Sequence, residues 1–417
     1  MTTRCNLPQG NAALLTGAGL SRRRFLGLTA GGLLVSTFDP LPGVVPVARA
    51  APSVPLRGTA RNCVFVFLQG GPSHVDMWDL KEGPSTPAEF APTSYGPVRF
   101  PQGLLPKTAE ELERLAIVRS GLAWALVHPL AQAWSQISRN PTAALGAIAP
   151  HIGSVVALER NGTRAPADVL PTFLSLQSSW VNVASVVGSG YLPARYGPLT
   201  ITQPGGDGLP GVLHPDGFDR LKERWALASR LDTKRRDASL GKGPADMASF
   251  FEQALDLAGA PEVVDLFRLT DEDRARYGST SLGDSLAISR KVLAANRGVQ
   301  FVQVAHDGWD THQHIYSKVF LPSLPSQCAE FDPAFGAFLS DLAATPGVSS
   351  GRTLLDETLV VVFGEFGRTV GPLNNLEGRD HFLRMSIVFA GGGIRGGRVL
   401  GKTDEKGADL VESGWSE

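Results

Sequence analysis

Five of the eight histidines in this chain crowd into a few short polar segments that also carry carboxylates. The segments are Gly70-Gly71-Pro72-Ser73-His74-Val75-Asp76, His306-Asp307-Gly308-Trp309-Asp310-Thr311-His312-Gln313-His314, Gly364-Glu365-Phe366-Gly367-Arg368-Thr369 and Gly378-Arg379-Asp380-His381. Imidazole nitrogen and carboxylate oxygen together are ligands for zinc, and carboxylates also suit the harder ions calcium and magnesium. Asp380-His381 fits a ligand with its own orienting carboxylate. The pattern nominates His74, Asp76, Asp307, Asp310, His312, Glu365, Asp380 and His381 as ligands of a divalent metal. It leaves His128 as a base or a further ligand, and Arg368 as a contact for an anionic substrate. Each piece also has an ordinary reading. An Asp-His pair makes a loop hydrogen bond, Asp-Gly-Trp-Asp makes a tight turn, and Glu365 with Arg368 makes a surface ion pair.

What would bring such distant segments together is a sheet. Cys63-Val64-Phe65-Val66-Phe67-Leu68 is a short unbroken apolar run, as expected of a strand buried on both faces. Similar strands are expected at 116–119, 173–176, 199–202, 299–304, 358–363 and 385–389. Helices are expected over 106–116, 129–138, 150–160 and 331–345, the last with Asp332 as its cap ahead of Pro333, and over much of 218–298. Residues 203–217 are a Gly/Pro loop. Alternating strands and helices predict a three-layer α/β sandwich around a mostly parallel sheet. Ligands of such sheets bind beyond the carboxyl ends of the strands, where most of the polar segments fall.

The N-terminus carries an address. Ser21-Arg22-Arg23-Arg24-Phe25-Leu26 precedes an apolar, glycine-rich run, and Ala48-Arg49-Ala50 follows as a small-residue cleavage site. This is the order of a twin-arginine export signal over residues 1–50, read by the twin-arginine translocase and then removed. Residues 51–60 read as a linker and 61–417 as one α/β domain. The expected destination is the periplasm or the extracellular space, with no transmembrane anchor after cleavage. A net charge of −1 argues against nucleic acid as a partner. Cys63 and Cys328 are two cysteines that could pair, which is no disulfide framework. Gly396-Gly397-Arg398-Val399-Leu400-Gly401-Lys402-Thr403 matches the phosphate-loop pattern in letters, but it lacks the strand before and the helix after that the motif needs.

Taken together, the four polar segments and Gly391-Gly392-Gly393-Ile394-Arg395-Gly396-Gly397 resemble a family of exported proteins labelled as a domain of unknown function, placed in the alkaline phosphatase and sulfatase superfamily. The resemblance implies an alkaline-phosphatase-like sandwich with divalent metal at the strand ends and hydrolysis of phosphate or sulfate esters. It aligns Asp307 with His312, Glu365-Phe366, and His381 with ligand positions of the wider superfamily. Gln69 stands where that superfamily has an Asp. Val127-His128-Pro129 stands where its hydroxyl or thiol nucleophile opens a helix. The family pattern continues past Glu417, so the domain is expected to be truncated. Two functions follow: an exported metal-dependent hydrolase of anionic esters, including those of extracellular polymers, or a non-catalytic relative that binds a polymer, sugar or protein partner.

Overall fold

Asn62–Leu68 forms strand β1, and its place in the molecule explains its composition. In the computed structural model β1 pairs in parallel with two strands at once, Val64 lying opposite Val302 on one side and Val360 on the other. Its side chains then alternate between two helical layers. Val64, Val66 and Leu68 pack in one cluster with Leu286, Phe331, Phe335 and Phe338. Phe65 and Phe67 point the other way, against Phe173, Phe301 and Ala157. An apolar run without polar interruption is what burial on both faces requires.

The structure describes residues 58–177, 187–202, 205, 208, 209, 212, 214–231 and 242–414. The export motif, the cleavage site and the linker as far as residue 57 lie outside the described residues, as does part of the 203–217 loop. The remaining strands of the main sheet are β2 (Leu115–Leu122), β3 (Phe173–Gln177), β4 (Leu199–Thr202), β5 (Phe301–His306), β6 (Thr358–Phe363), β7 (Arg384–Ala390) and β8 (Arg398–Leu400). Their order across the sheet is β8-β2-β7-β6-β1-β5-β3-β4. Helices α1 (His128–Ile137) and α2 (Ile152–Arg160) pack on the Phe65 face. Helices α3 (Ser281–Ala295) and α4 (Leu324–Ala344) pack on the Val64 face. The expected three-layer α/β sandwich is therefore observed.

The sheet is mostly parallel, as expected, and the strand at 384–390 is the exception, antiparallel to both neighbours, β2 and β6. No helix separates it from β6. The chain leaves β6 and returns along its own rim, Gly367-Arg368 pairing antiparallel with Phe382-His381, and a strand that starts where its predecessor ended must run back. One expectation needs correction, that for Asp332. It lies inside α4, which begins at Leu324 under a Ser323 cap and carries Pro333 in its interior. Its carboxylate instead accepts from the backbone N–H groups of Lys107 and Thr108, at 2.8 and 2.7 Å, and so caps the helix Pro106–Glu110 across space. Cys63 and Cys328 are both free, so they do not form a pair. The phosphate-loop look-alike is an edge strand, β8, followed by a short ribbon of Lys402-Thr403 with Leu410–Glu412.

Candidate metal centre

Helix α1 opens at His128 with Pro129 in its first turn, where a missing N–H disturbs no helical bond. Asp310 and His312 follow the carboxyl end of β5. His381 sits on the return ribbon, three residues before β7. These four residues each present one donor atom, all within 4.8 Å of one another. His128 Nε2 lies 3.3 Å from Asp310 Oδ2, and His312 and His381 Nε2 lie 3.1 and 3.4 Å from Asp310 Oδ1. His312 Nε2 and His381 Nε2 are 2.8 Å apart. A tetrahedral zinc with bonds of about 2.0–2.1 Å spaces its ligands about 3.3–3.4 Å apart, a value that falls between the 2.8 Å of the two Nε2 atoms and the 4.8 Å within which all four donors lie.

The outer nitrogens decide where the lone pairs point. His128 Nδ1 lies 2.6 Å from Glu365 Oε1, His312 Nδ1 lies 2.7 Å from Asp380 Oδ1, and His381 Nδ1 lies 2.7 Å from the carbonyl of Leu126. Carboxylates and carbonyls only accept, so each Nδ1 carries the proton. A ring that gives up its second proton then turns an Nε2 lone pair inward, the arrangement seen when histidine ligands are oriented from behind. Two lone pairs 2.8 Å apart repel unless a cation or a proton lies between them. Burial by itself would lower the His128 pKa, but hydrogen bonds to Asp310 and Glu365 outweigh it and raise the pKa to about 9. Burial would raise that of Asp310, yet hydrogen bonds from His128, His381 and Arg368 hold it well below the usual carboxylate range. The hydrogen bond from His312 also lowers the pKa of Asp380. The local field thus favours positive charge where the four donors meet.

Among the nominated residues, Asp310, His312, His381 and His128 come together. Glu365 and Asp380 stand behind them as ring holders. Buried Glu365 also accepts from the Gly70 N–H at 3.0 Å and from Gln132 Nε2 at 2.9 Å, tying β1, α1 and β6 to the same carboxylate. His74 and Asp76 point elsewhere, which corrects their nomination as ligands, and Asp307 is not among the four converging residues. Asp76 is fully buried, accepting from Arg379 Nε at 2.9 Å, Ser73 Oγ at 2.5 Å and Tyr316 at 2.7 Å. It anchors the residue next to Asp380. His74 lies 3.0 Å from the Gly407 carbonyl and stacks on Phe382, and burial lowers its pKa. Asp307 Oδ1 accepts from the N–H of Gly308. Arg368 is not an open anion contact. It is 0% exposed, and it donates to the carbonyls of Gly70, Gly71 and Arg379 and, at 2.5 Å, to Asp310 Oδ1. A guanidinium whose donors are engaged this way positions Asp310 rather than a substrate. The sequence reading missed Gln132 and the Leu126 carbonyl. Every residue has a carbonyl, so nothing in a sequence marks this one.

No curated protein matches the sequence. Among solved structures, the chain is similar to a protein in the alkaline phosphatase superfamily from Vibrio parahaemolyticus, at 10% identity and a TM-score of 0.33, over 82% of this chain and 62% of that one. It is similar to the PsFucS1 sulfatase from Pseudoalteromonas sp., at 12% identity and a TM-score of 0.37, over 82% and 64% of the two chains. The phosphonate monoester hydrolase SpPMH from Silicibacter pomeroyi is similar at 11% identity and a TM-score of 0.34, over 81% and 69%. The chain thus spans less than two thirds of the length of the first two. A family model matches residues 60–416, and by that match the chain belongs to the family described as protein of unknown function (DUF1501).

Proposed function

We propose that this protein is an exported hydrolase of phosphate or sulfate esters that depends on one divalent metal ion. The observation that carries the reading is the convergence of three inward imidazole Nε2 atoms and the Asp310 carboxylate, each imidazole locked from behind by an acceptor. Three nitrogen donors favour zinc, or another transition ion that accepts imidazole, over calcium or magnesium. When bound, such an ion polarises an ester oxygen and makes water a stronger nucleophile at neutral pH. The chain itself would hold the ion through His128, Asp310, His312 and His381. Glu365, Asp380 and Leu126 would fix the rings, and Arg368 would fix Asp310. α1 opens with His128, the position where the superfamily it resembles has a nucleophile. Water, rather than a side chain, would therefore supply the attacking oxygen. The ester bond to phosphorus or sulfur breaks, and the alcohol leaves with a proton.

A second reading rests on the same cluster. Four protein donors already complete a tetrahedron, the mark of closed structural sites. The ion would then hold the rim loops together in a non-catalytic protein that binds a polymer, sugar or protein partner. Metal analysis of the purified full chain, followed by turnover of small phosphate and sulfate esters, separates the two. The hydrolase reading expects one bound ion per chain, with turnover lost together with the ion in His381→Ala and Asp310→Ala. Bound metal without turnover of any ester supports the second reading, and a chain that binds no metal overturns both.

A further inference from the structure

The segment that supplies a carbonyl to His381 also carries exposed apolar side chains. Beyond the end of β2 the Ala123 N–H still bonds to the Leu383 carbonyl, and the chain then bends at Trp124, Leu126 and Val127 before α1. Leu122, Trp124 and Leu126 are 54%, 59% and 41% exposed, and Val127 is 60% exposed, while intervening Ala123 is buried. Trp124 is backed by half-buried Trp134 of α1, ring centroids 5.4 Å apart and planes at 21°. An indole held flat by a second indole offers its outer face to solvent. Exposed apolar surface of this kind marks binding.

We propose that the Trp124–Trp134 stack seats the organic group of an anionic ester, and that this group is a flat aromatic ring. The proposal rests on the reading of His128, Asp310, His312 and His381 as a cation site for the anionic end. Three features choose this occupant. Trp124 is two residues from Leu126, at most roughly 7 Å along the chain, and the Leu126 carbonyl accepts from His381, so one small molecule can span both places. A cation site attracts the anionic end, while the platform offers only area to the other. Leu122, Leu126 and Val127, exposed neighbours of Trp124 in the chain, carry no side-chain polar group, which suits an aromatic ring better than a hydroxyl-rich sugar.

The test titrates 2-naphthyl phosphate, methyl phosphate and neutral 2-naphthol into the zinc-loaded full chain, following tryptophan fluorescence and heat. The expected result is that 2-naphthyl phosphate binds about tenfold more tightly than methyl phosphate, a difference of about 1.4 kcal/mol. Trp124→Ala should erase that preference with metal content and methyl phosphate affinity unchanged, and Trp124→Phe should keep most of it. Equal affinities in the wild type, or a preference that survives Trp124→Ala, overturn the proposal. So does a change of oligomeric state in Trp124→Ala, which would make the platform an interface between copies. The 2-naphthol arm separates the two readings. If it binds in a Trp124-dependent way while the phosphate adds nothing, the platform stands and the cation site falls. If methyl phosphate binds and 2-naphthyl phosphate binds no more tightly, the cation site stands and the platform falls.

Discussion

An imidazole can offer a cation either nitrogen, and the partner of the other nitrogen decides which. That makes the residues behind the cluster as testable as those in it. Asp380→Ala should weaken metal binding by about 10- to 100-fold, read by competition with a chelator. Its carboxylate is exposed and its main side-chain partners, His312 and Asn374, belong to the rim, so the unfolding midpoint of the metal-free chain should move little. Gly70 tests position from the backbone side. It adopts φ +112°, and a Cβ there would stand 2.4 Å from the Asp310 nitrogen. Gly70→Ala should therefore lower both stability and metal content, because the backbone carrying Asp310 must shift. Gly83→Ala is the control, since nothing lies within 4 Å of a Cβ there, and it should leave both unchanged.

Elements are held together by polar groups buried between them. Asp332 in α4 caps a helix more than two hundred residues away in sequence. Asp332→Ala should cost about 1–2 kcal/mol, as for loss of other helix caps, seen as a lower urea midpoint at constant m-value. His151 joins α2 to β5: its Nδ1 accepts from the Gly153 N–H at 2.8 Å, and its Nε2 donates to Gln303 Oε1 at 2.5 Å. That network needs a neutral ring, and burial lowers the pKa from the ordinary 6.5 to about 3. Between those values the unfolded chain binds the proton and the folded chain does not. The contribution of His151 is therefore complete above pH 6.5 and declines as pH falls toward 3. The slope should reach about 1.4 kcal/mol per pH unit at most. His151→Asn should flatten this part of the stability–pH curve, measured by denaturant titration at several pH values.

At the scale of the whole molecule, the candidate centre joins the ends of β2 and β5, the return ribbon before β7, and, through Glu365, β1 and β6. An ion there binds only the folded chain, so a chelator should lower the melting temperature of the wild type by several degrees. It should leave that of His381→Ala unchanged, which calorimetry can check. Export is tested in cells: Arg22→Lys with Arg23→Lys should keep the chain in the cytoplasm by fractionation. Among the described residues no helix is long and apolar enough to cross a membrane. The sequence alone determined the β1 strand, the alternation of strand and helix, and the residue types able to hold a metal, because burial on two faces and ligand chemistry are written in local composition. It did not decide which of those residues meet. His74 and Asp76 have the right chemistry but point into the protein, where Gly407 and Arg379 hold them. Asp380 and His381 reach the rim only because β7 runs antiparallel; a parallel strand would have put them at the other end of the sheet. Direction of a strand and orientation of a side chain are set by pairings hundreds of residues apart, so tertiary structure alone could fix them.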